Sequence, residues 1–153
     1  MKIHPITTLP NEFDRLMLDA ESEGHDFLTK IKREWASYEN RFDRPHEALF
    51  EVRDDQGHLI GIGGLNVDPY VDDPHLGRVR HVFVRPQARG SGVGRALVQK
   101  IIEHATGHFK LLRLRTHNPQ AVDLYRKLQF VIVENANDPT HIYMERTLAA
   151  QHQ

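Results

Sequence analysis

The chain has no cysteine. That single absence excludes disulfides, thiolate metal sites and a covalent route through a cysteine nucleophile. Nor is there a surplus of one charge: 20 Lys and Arg stand against 21 Asp and Glu, for a formal net charge of −1. A general nucleic-acid-binding protein needs a basic excess, so no nucleic-acid partner is expected. The sequence contains no apolar run of about 18 residues, and therefore no membrane span is expected. The N-terminal MKIHPITTLPNEF lacks the apolar core of a signal peptide, which makes the cytoplasm the default location. Long linkers, repeats and low-complexity tracts are missing too. What remains is 39% hydrophobic and 27% charged over 153 residues, the balance of one soluble globular domain spanning 1–153.

Hydrophobic spacing sets out the elements. A short strand is expected over Lys2 to Thr7. Phe13, Leu16, Met17 and Ala20 recur on one helical face, with Gly24 as the stop. Phe27, Leu28, Ile31 and Trp35 mark a second helix running toward Tyr38. Glu47 to Arg53 and His58 to Val67 read as a hairpin turned at Asp54 to Gly57. In it, the glycines of GIGGL, Gly61 to Gly64, read as a bulge or a close backbone contact. The loop DPYVDDPH precedes a strand, GRVRHVFVR, and a glycine-rich stretch leads into a helix to about Thr106. KLLRLRT is a strand. NPQAVDLYRKL is a helix, with Asn118 as N-cap and Pro119 as its first residue. FVIVEN and HIYMERTL close the chain as strands. The order β-α-α-β-β-β-α-β-α-β-β predicts an α/β (α+β) fold. Its centre is a mixed, mostly antiparallel sheet of about seven strands flanked by four helices.

The glycines ask for a function. Arg89-Gly90-Ser91-Gly92-Val93-Gly94-Arg95 opens a helix with three glycines, each weakening a helix interior by roughly 1 kcal/mol relative to alanine. The first amides of a helix have no intrahelical partner, and the helix dipole makes that end positive. Glycines let an anion approach those amides, so this is a phosphate or pyrophosphate cradle. A P-loop needs G-x-x-x-x-G-K-[ST], which is absent. A dinucleotide fold needs G-x-G-x-x-G early in the chain; here the pattern is R-x-x-G-x-G, past the middle.

R-x-x-G-x-G between a strand and a helix resembles the acyl-CoA-binding motif of the GNAT superfamily of N-acetyltransferases. NPQAVDLYRKLQF, Asn118 to Phe130, is similar to the later family segment N-x-x-A-x-x-x-Y-x-K-x-G-F. Asn118, Ala121, Tyr125, Lys127 and Phe130 match, and Gln129 takes the glycine's place. The element order matches as well, so the resemblance covers essentially the whole chain. It implies acetyl-CoA as cosubstrate, bound in a cleft between Val79 to Arg85 and Lys110 to Thr116. The pantetheine arm would pair with backbone at Val82, Phe83 and Val84, as an added strand does. The pyrophosphate would sit on the amides from Arg89 to Arg95, and Arg89 and Arg95 would offer guanidinium contacts, unless both are merely solvated. Asn118 contacts the cofactor arm or serves only as the helix cap.

The resemblance further implies direct attack of a primary amine on the thioester. Tyr125 matches the family tyrosine that protonates the departing thiolate, although Ala121, Leu124 and Leu128 share its helical face and a core role is the alternative. Ser91 has no base beside it and reads as a loop residue. Many relatives carry a glutamate as base at the position of Arg78. In its absence His81 and His117 are the candidate bases, with Asp68 and Glu51 further candidates. Acceptor specificity is expected from the second helix and its exit and from DPYVDDPH. Trp35, Tyr38, Phe42 and Tyr70 would line a pocket, with Asp68, Asp72 and Asp73 drawing a cationic amine, unless Trp35 and Phe42 are core anchors and the aspartates a solvated turn, the stronger reading for most of them. Arg41, Arg44, Arg78 and Arg80 keep an anionic acceptor open; polyamine, amino acid, antibiotic and protein lysine all remain. His104 and His108 have the spacing of a metal pair but no third ligand, so no metal is expected. A non-catalytic acyl-CoA-binding sensor is the competing reading. Exposed sheet edges near the C-terminal strands suit a homodimer.

Overall fold

The computed structural model describes residues 1–135 and 137–149. Among them seven strands form a single sheet in the order β1-β2-β3-β4-β5-β7-β6. In chain order the elements are β1 (Lys2–Ile6), α1 (Phe13–Ser22), α2 (Phe27–Ser37), β2 (Ala48–Arg53), β3 (Leu59–Val67) and β4 (Leu76–Val84). They continue with α3 (Val93–Ala105), β5 (Leu111–Thr116), α4 (Pro119–Lys127), β6 (Val131–Val133) and β7 (Ile142–Thr147). Every pairing is antiparallel except β4 with β5, so the expected mixed, mostly antiparallel sheet with four α-helices is what forms. A 3-10 turn, Pro86–Ala88, separates β4 from the glycine stretch and has no counterpart in the periodicity reading.

The two faces of the sheet are covered by different helices. Leu97, Val98 and Ile101 of α3 and Val122 of α4 pack with Leu65, Leu112 and Met144. Phe13 and Leu16 of α1, with Leu28, Ile31 and Trp35 of α2, pack on Leu49, Ile62 and Phe83. These are the 3-4-7 positions of each helix. Each fully buried Leu, Ile or Phe contributes about 1.5–3 kcal/mol, so the amphipathic spacing is what fixes each helix to its face.

Two irregularities in β4 shape the site. The first is a bulge. Ile62 pairs with Phe83 and Gly64 with Arg80, so His81 and Val82 stand opposite Gly63 alone. His81 sits at φ 60°, in the left-handed region. The extra residue thus lies on β4, across from the glycines that suggested it. Those glycines serve close approach: a Cβ on Gly64 would meet the Phe42 ring at 2.5 Å. The second is the short parallel pairing with β5, confined to Leu76–Leu111, Gly77–Leu112 and Arg78–Arg113. Beyond Arg78 the two strands part.

Candidate functional site

The parting of β4 from β5 opens a cleft of about 1150 Å³. The cleft extends from the start of α3 past the inner side of β4 to α2. Of the residues expected to bind the cosubstrate all but Ser91 line it, and so do three of the catalytic candidates: His81, Val82, Phe83, Val84, Arg89, Gly90, Gly92, Val93, Gly94, Arg95, His117, Asn118 and Tyr125. Ser91 is exposed, and its hydroxyl donates to the Ala88 carbonyl at 3.3 Å.

One end is the glycine loop. Gly90 and Gly92 adopt φ of 90° and 87°, and nothing lies within 4 Å of where a Cβ would project from either. Gly92 is the N-cap of α3. The Ala96 amide donates back to the Gly92 carbonyl at 3.0 Å, so the amides of Val93, Gly94 and Arg95 lie ahead of the helical ladder. A bare, positively polarised helix end faced with open space fits a pyrophosphate. Arg95 is exposed at this end. Arg89 is otherwise engaged. Its Nη1 and Nη2 donate to the Glu23 carboxylate at 2.8 and 2.5 Å, and its Nε donates to the Val84 carbonyl at 2.9 Å. The pairing lowers the Glu23 pKa and raises that of Arg89. Arg85 is likewise held by Asp19 of α1 at 2.8 Å.

Tyr125 forms part of the cleft wall from α4. Its ring meets Phe130 edge-on at 5.6 Å, and burial pushes its hydroxyl well above the usual phenol range. Among the described residues the hydroxyl has no hydrogen-bond partner. Asn118 caps α4: its Oδ1 accepts from the Gln120 amide at 3.0 Å.

His81 faces α2. Phe27 stacks on its ring at 5.9 Å and Phe42 meets it edge-on at 6.5 Å. Its Nε2 is buried without a partner. Burial first, then the positive charges of Arg80 and Lys30, pull its pKa down to about 3, so the ring is neutral at physiological pH. His117 lies at the mouth in a row of three rings, 5.8 Å from His25 and 5.6 Å from His141. His141 Nδ1 is 3.1 Å from Asp138. Thr140, Tyr143 and His141 hydrogen-bond the Asp138 carboxyl and hold it well below the usual range. Three histidines from separate connections meet here. Nothing in their spacing along the chain marks them as a set.

Of the remaining candidates Arg78, Arg80 and Tyr70 line the cleft. Arg78 is buried and donates to Asp68 Oδ2 at 3.1 Å, under the Tyr70 ring at 4.7 Å. Glu51 is buried on β2 and tied to Arg53 at 2.8 Å and His4 at 2.7 Å. Neither Asp68 nor Glu51 lines the cleft. Trp35 and Phe42 are core residues, whereas Tyr38 is exposed beneath Arg41 at 3.6 Å. Only Tyr70 of the four aromatics offered to the acceptor pocket lines it. His104 is taken up by Phe50 and His108 by a stack on His46 at 3.8 Å.

Comparison with known proteins bears on the family and the fold. The sequence model of the acetyltransferase (GNAT) family matches residues 11–130. A mycothiol acetyltransferase of Paenarthrobacter aurescens is 36% identical over 109 residues, which cover 68% of this chain and 33% of that protein. The match thus spans about a third of the relative's length. The N-alpha-acetyltransferase RimI of Mycobacterium tuberculosis is 28% identical over 115 residues, covering 72% of this chain and 69% of that one. The structure of a ribosomal-protein-alanine N-acetyltransferase from Brucella melitensis superposes with a TM-score of 0.73 at 17% identity, over 97% of this chain and all of that one. At that identity the likeness concerns the fold. The chain belongs to the acetyltransferase (GNAT) family.

Proposed function

We propose that this GNAT acyltransferase moves the acetyl group of acetyl-CoA to a primary amine by direct attack within a ternary complex. The observation that carries the reading is the cleft itself. It opens where β4 stops pairing with β5, with a bare helix N-terminus at one end and Tyr125 on its wall. The family's use of acetyl-CoA supports the cosubstrate.

The chain's own groups then have these parts. The amides from Val93 to Arg95 and the Arg95 guanidinium take the pyrophosphate. The unpaired edge of β4 at Val82 to Val84 takes the amide-bearing arm, as a sheet edge takes a strand. The amine lone pair attacks the thioester carbon, the C–S bond breaks, and the leaving sulfur takes the Tyr125 proton. Burial keeps that phenol protonated at neutral pH, which a general acid requires. The proton lost by the amine leaves through water toward His117. With a pKa of about 3, His81 is a poor proton store. It holds the amine by hydrogen bonding. No covalent enzyme intermediate is needed, and the chain has no cysteine to form one.

The test is free CoA released from acetyl-CoA across a panel of amines, for wild type and Tyr125→Phe. Amine-dependent release is expected, with kcat lowered by about 10²–10⁴-fold in the variant. Unchanged kcat removes Tyr125 from the mechanism. Release with no amine dependence overturns the transfer itself.

A further inference from the structure

The acceptor side of the cleft carries positive charge, and the aspartates that could have drawn a cationic amine face away from it. Asp68 is buried against Arg78 and accepts from the Tyr70 amide at 2.8 Å. Asp73 is used up in a turn, accepting from the His75 amide at 2.9 Å. Neither they nor Asp72 line the cleft. Lys30 of α2 and Arg80 of β4 do. Among the described residues no carboxylate lies within ion-pair distance of either. Arg80 donates only to the neutral Asn66, at 3.2 Å. By contrast Arg78, Arg85 and Arg89 each face an acid. The carboxylates on the cleft wall nearest this side are Glu23, already held by Arg89, and the exposed Asp26.

The bulge is what gathers these groups. Successive residues of a regular strand point to opposite faces. The extra residue at His81 breaks that alternation, so Arg80 and His81 both face α2, where Lys30 lies one turn beyond the Phe27 that stacks on His81. His81 adds an independent sign of a ligand. Its ring is partly buried, it lines the cleft, and its Nε2 is buried with no partner among the described residues. A buried polar atom left unpaired is costly, and a bound molecule relieves it.

We propose that the acceptor is an amine that carries a carboxylate beside it, a small amino-acid-like molecule. Its carboxylate is held between Lys30 and Arg80 and its amine is presented at His81. The inference rests on the acetyl-transfer reading and deepens it. A guanidinium and an ammonium with no acid of their own suit a carboxylate, and the same pair repels a polyamine.

Matched acceptors test it. Each amino acid is set against the amine that lacks only the carboxylate, such as phenylalanine against 2-phenylethylamine and methionine against 3-(methylthio)propylamine. Spermidine and an aminoalkyl phosphonate complete the series. In thiol-release assays at least one carboxylate-bearing member is expected to exceed its partner in kcat/KM by about tenfold or more. Arg80→Gln and Lys30→Met are each expected to erase that ratio and leave the KM for acetyl-CoA within about twofold. Calorimetric titration of the protein saturated with CoA, using the N-acetyl derivative of each member, reads the same preference without turnover. Equal or better use of the carboxylate-free amines or of spermidine overturns the inference, as does a ratio that survives both substitutions or no preference in either assay. Superior use of the phosphonate overturns the choice of anion. Failure to bind acetyl-CoA at all would instead sink the transfer reading, whereas binding with turnover of plain amines keeps it and sinks this inference alone.

Discussion

Replacing His81 by asparagine should make the fold less sensitive to acid. His81 sits at φ 60°, a conformation asparagine tolerates better than most residues, so the bulge survives the change. In the native state the ring takes up a proton only near pH 3, against 6.5 for an unperturbed histidine. Between those values the unfolded chain binds one more proton than the folded one. Stability from this group is therefore complete above pH 6.5 and falls as pH drops through the window. The loss relative to pH 7.5 is at most about 1.4 kcal/mol at pH 5.5 and about 2.7 kcal/mol at pH 4.5. Urea unfolding of wild type and His81→Asn at pH 7.5, 5.5 and 4.5 measures it. At pH 7.5 the gap between the two proteins is the cost of lost stacking on Phe27 and Phe42. That gap should shrink by those amounts as pH falls. His104, whose pKa is also lowered by burial, is present in both proteins and cancels. A gap independent of pH would refute the buried neutral imidazole, and with it the reason for denying His81 the role of base.

Three further outcomes follow from the packing. Gly92→Ala forces a side chain into a left-handed conformation at the lip of the glycine loop, at a cost of about 1–2 kcal/mol. The KM for acetyl-CoA should rise by more than the Tm shift explains. Gly64→Ala drives a methyl into the Phe42 ring and should destabilise by about 1–3 kcal/mol in urea, with kinetics altered only through the folded fraction. Asp68→Ala strands the buried Arg78 and should cost about 3–5 kcal/mol, most of it recovered in Asp68→Ala/Arg78→Met, as a double-mutant cycle would read.

What the sequence disclosed, it disclosed through local chemistry. Asn118 before Pro119 announces a capped helix because the cap is made two residues away, at the Gln120 amide. Gly90 and Gly92 announce a loop left bare for an anion, and nothing lies within 4 Å of where a Cβ would project from either. The glycines of β3 signalled a close contact, and Gly64 accepts Phe42 against its bare Cα. What stayed hidden depends on partners far along the chain. Nothing near Arg89 says that Glu23 on α1 will claim it, and nothing near Asp68 says that Arg78 will withdraw it from the cleft. The side of the bulge was equally hidden, since only the pairing of β3 with β4 decides which strand holds the extra residue.

The missing glutamate at Arg78 and the positive acceptor side are connected through the amine's own proton. An amine must be neutral to attack, and on the proposed reading the position of the family's usual glutamate is held by Arg78. With Asp68 buried by Arg78, the cations proposed to face the acceptor without an acid of their own are Lys30 and Arg80. Set against one acceptor carboxylate they leave one net positive charge. At roughly 6 Å and an effective dielectric of about 20, that charge disfavours a neighbouring ammonium by about 2.8 kcal/mol, near two pKa units. Desolvation in the same cleft acts in the same direction, and both forces are already visible on His81, whose pKa they depress. An amine bound there would lose its proton to water near neutral pH without a dedicated side-chain base. On the proposed reading, Arg78 at the position of the relatives' glutamate takes the place of the base and, by burying Asp68, lessens the need for one.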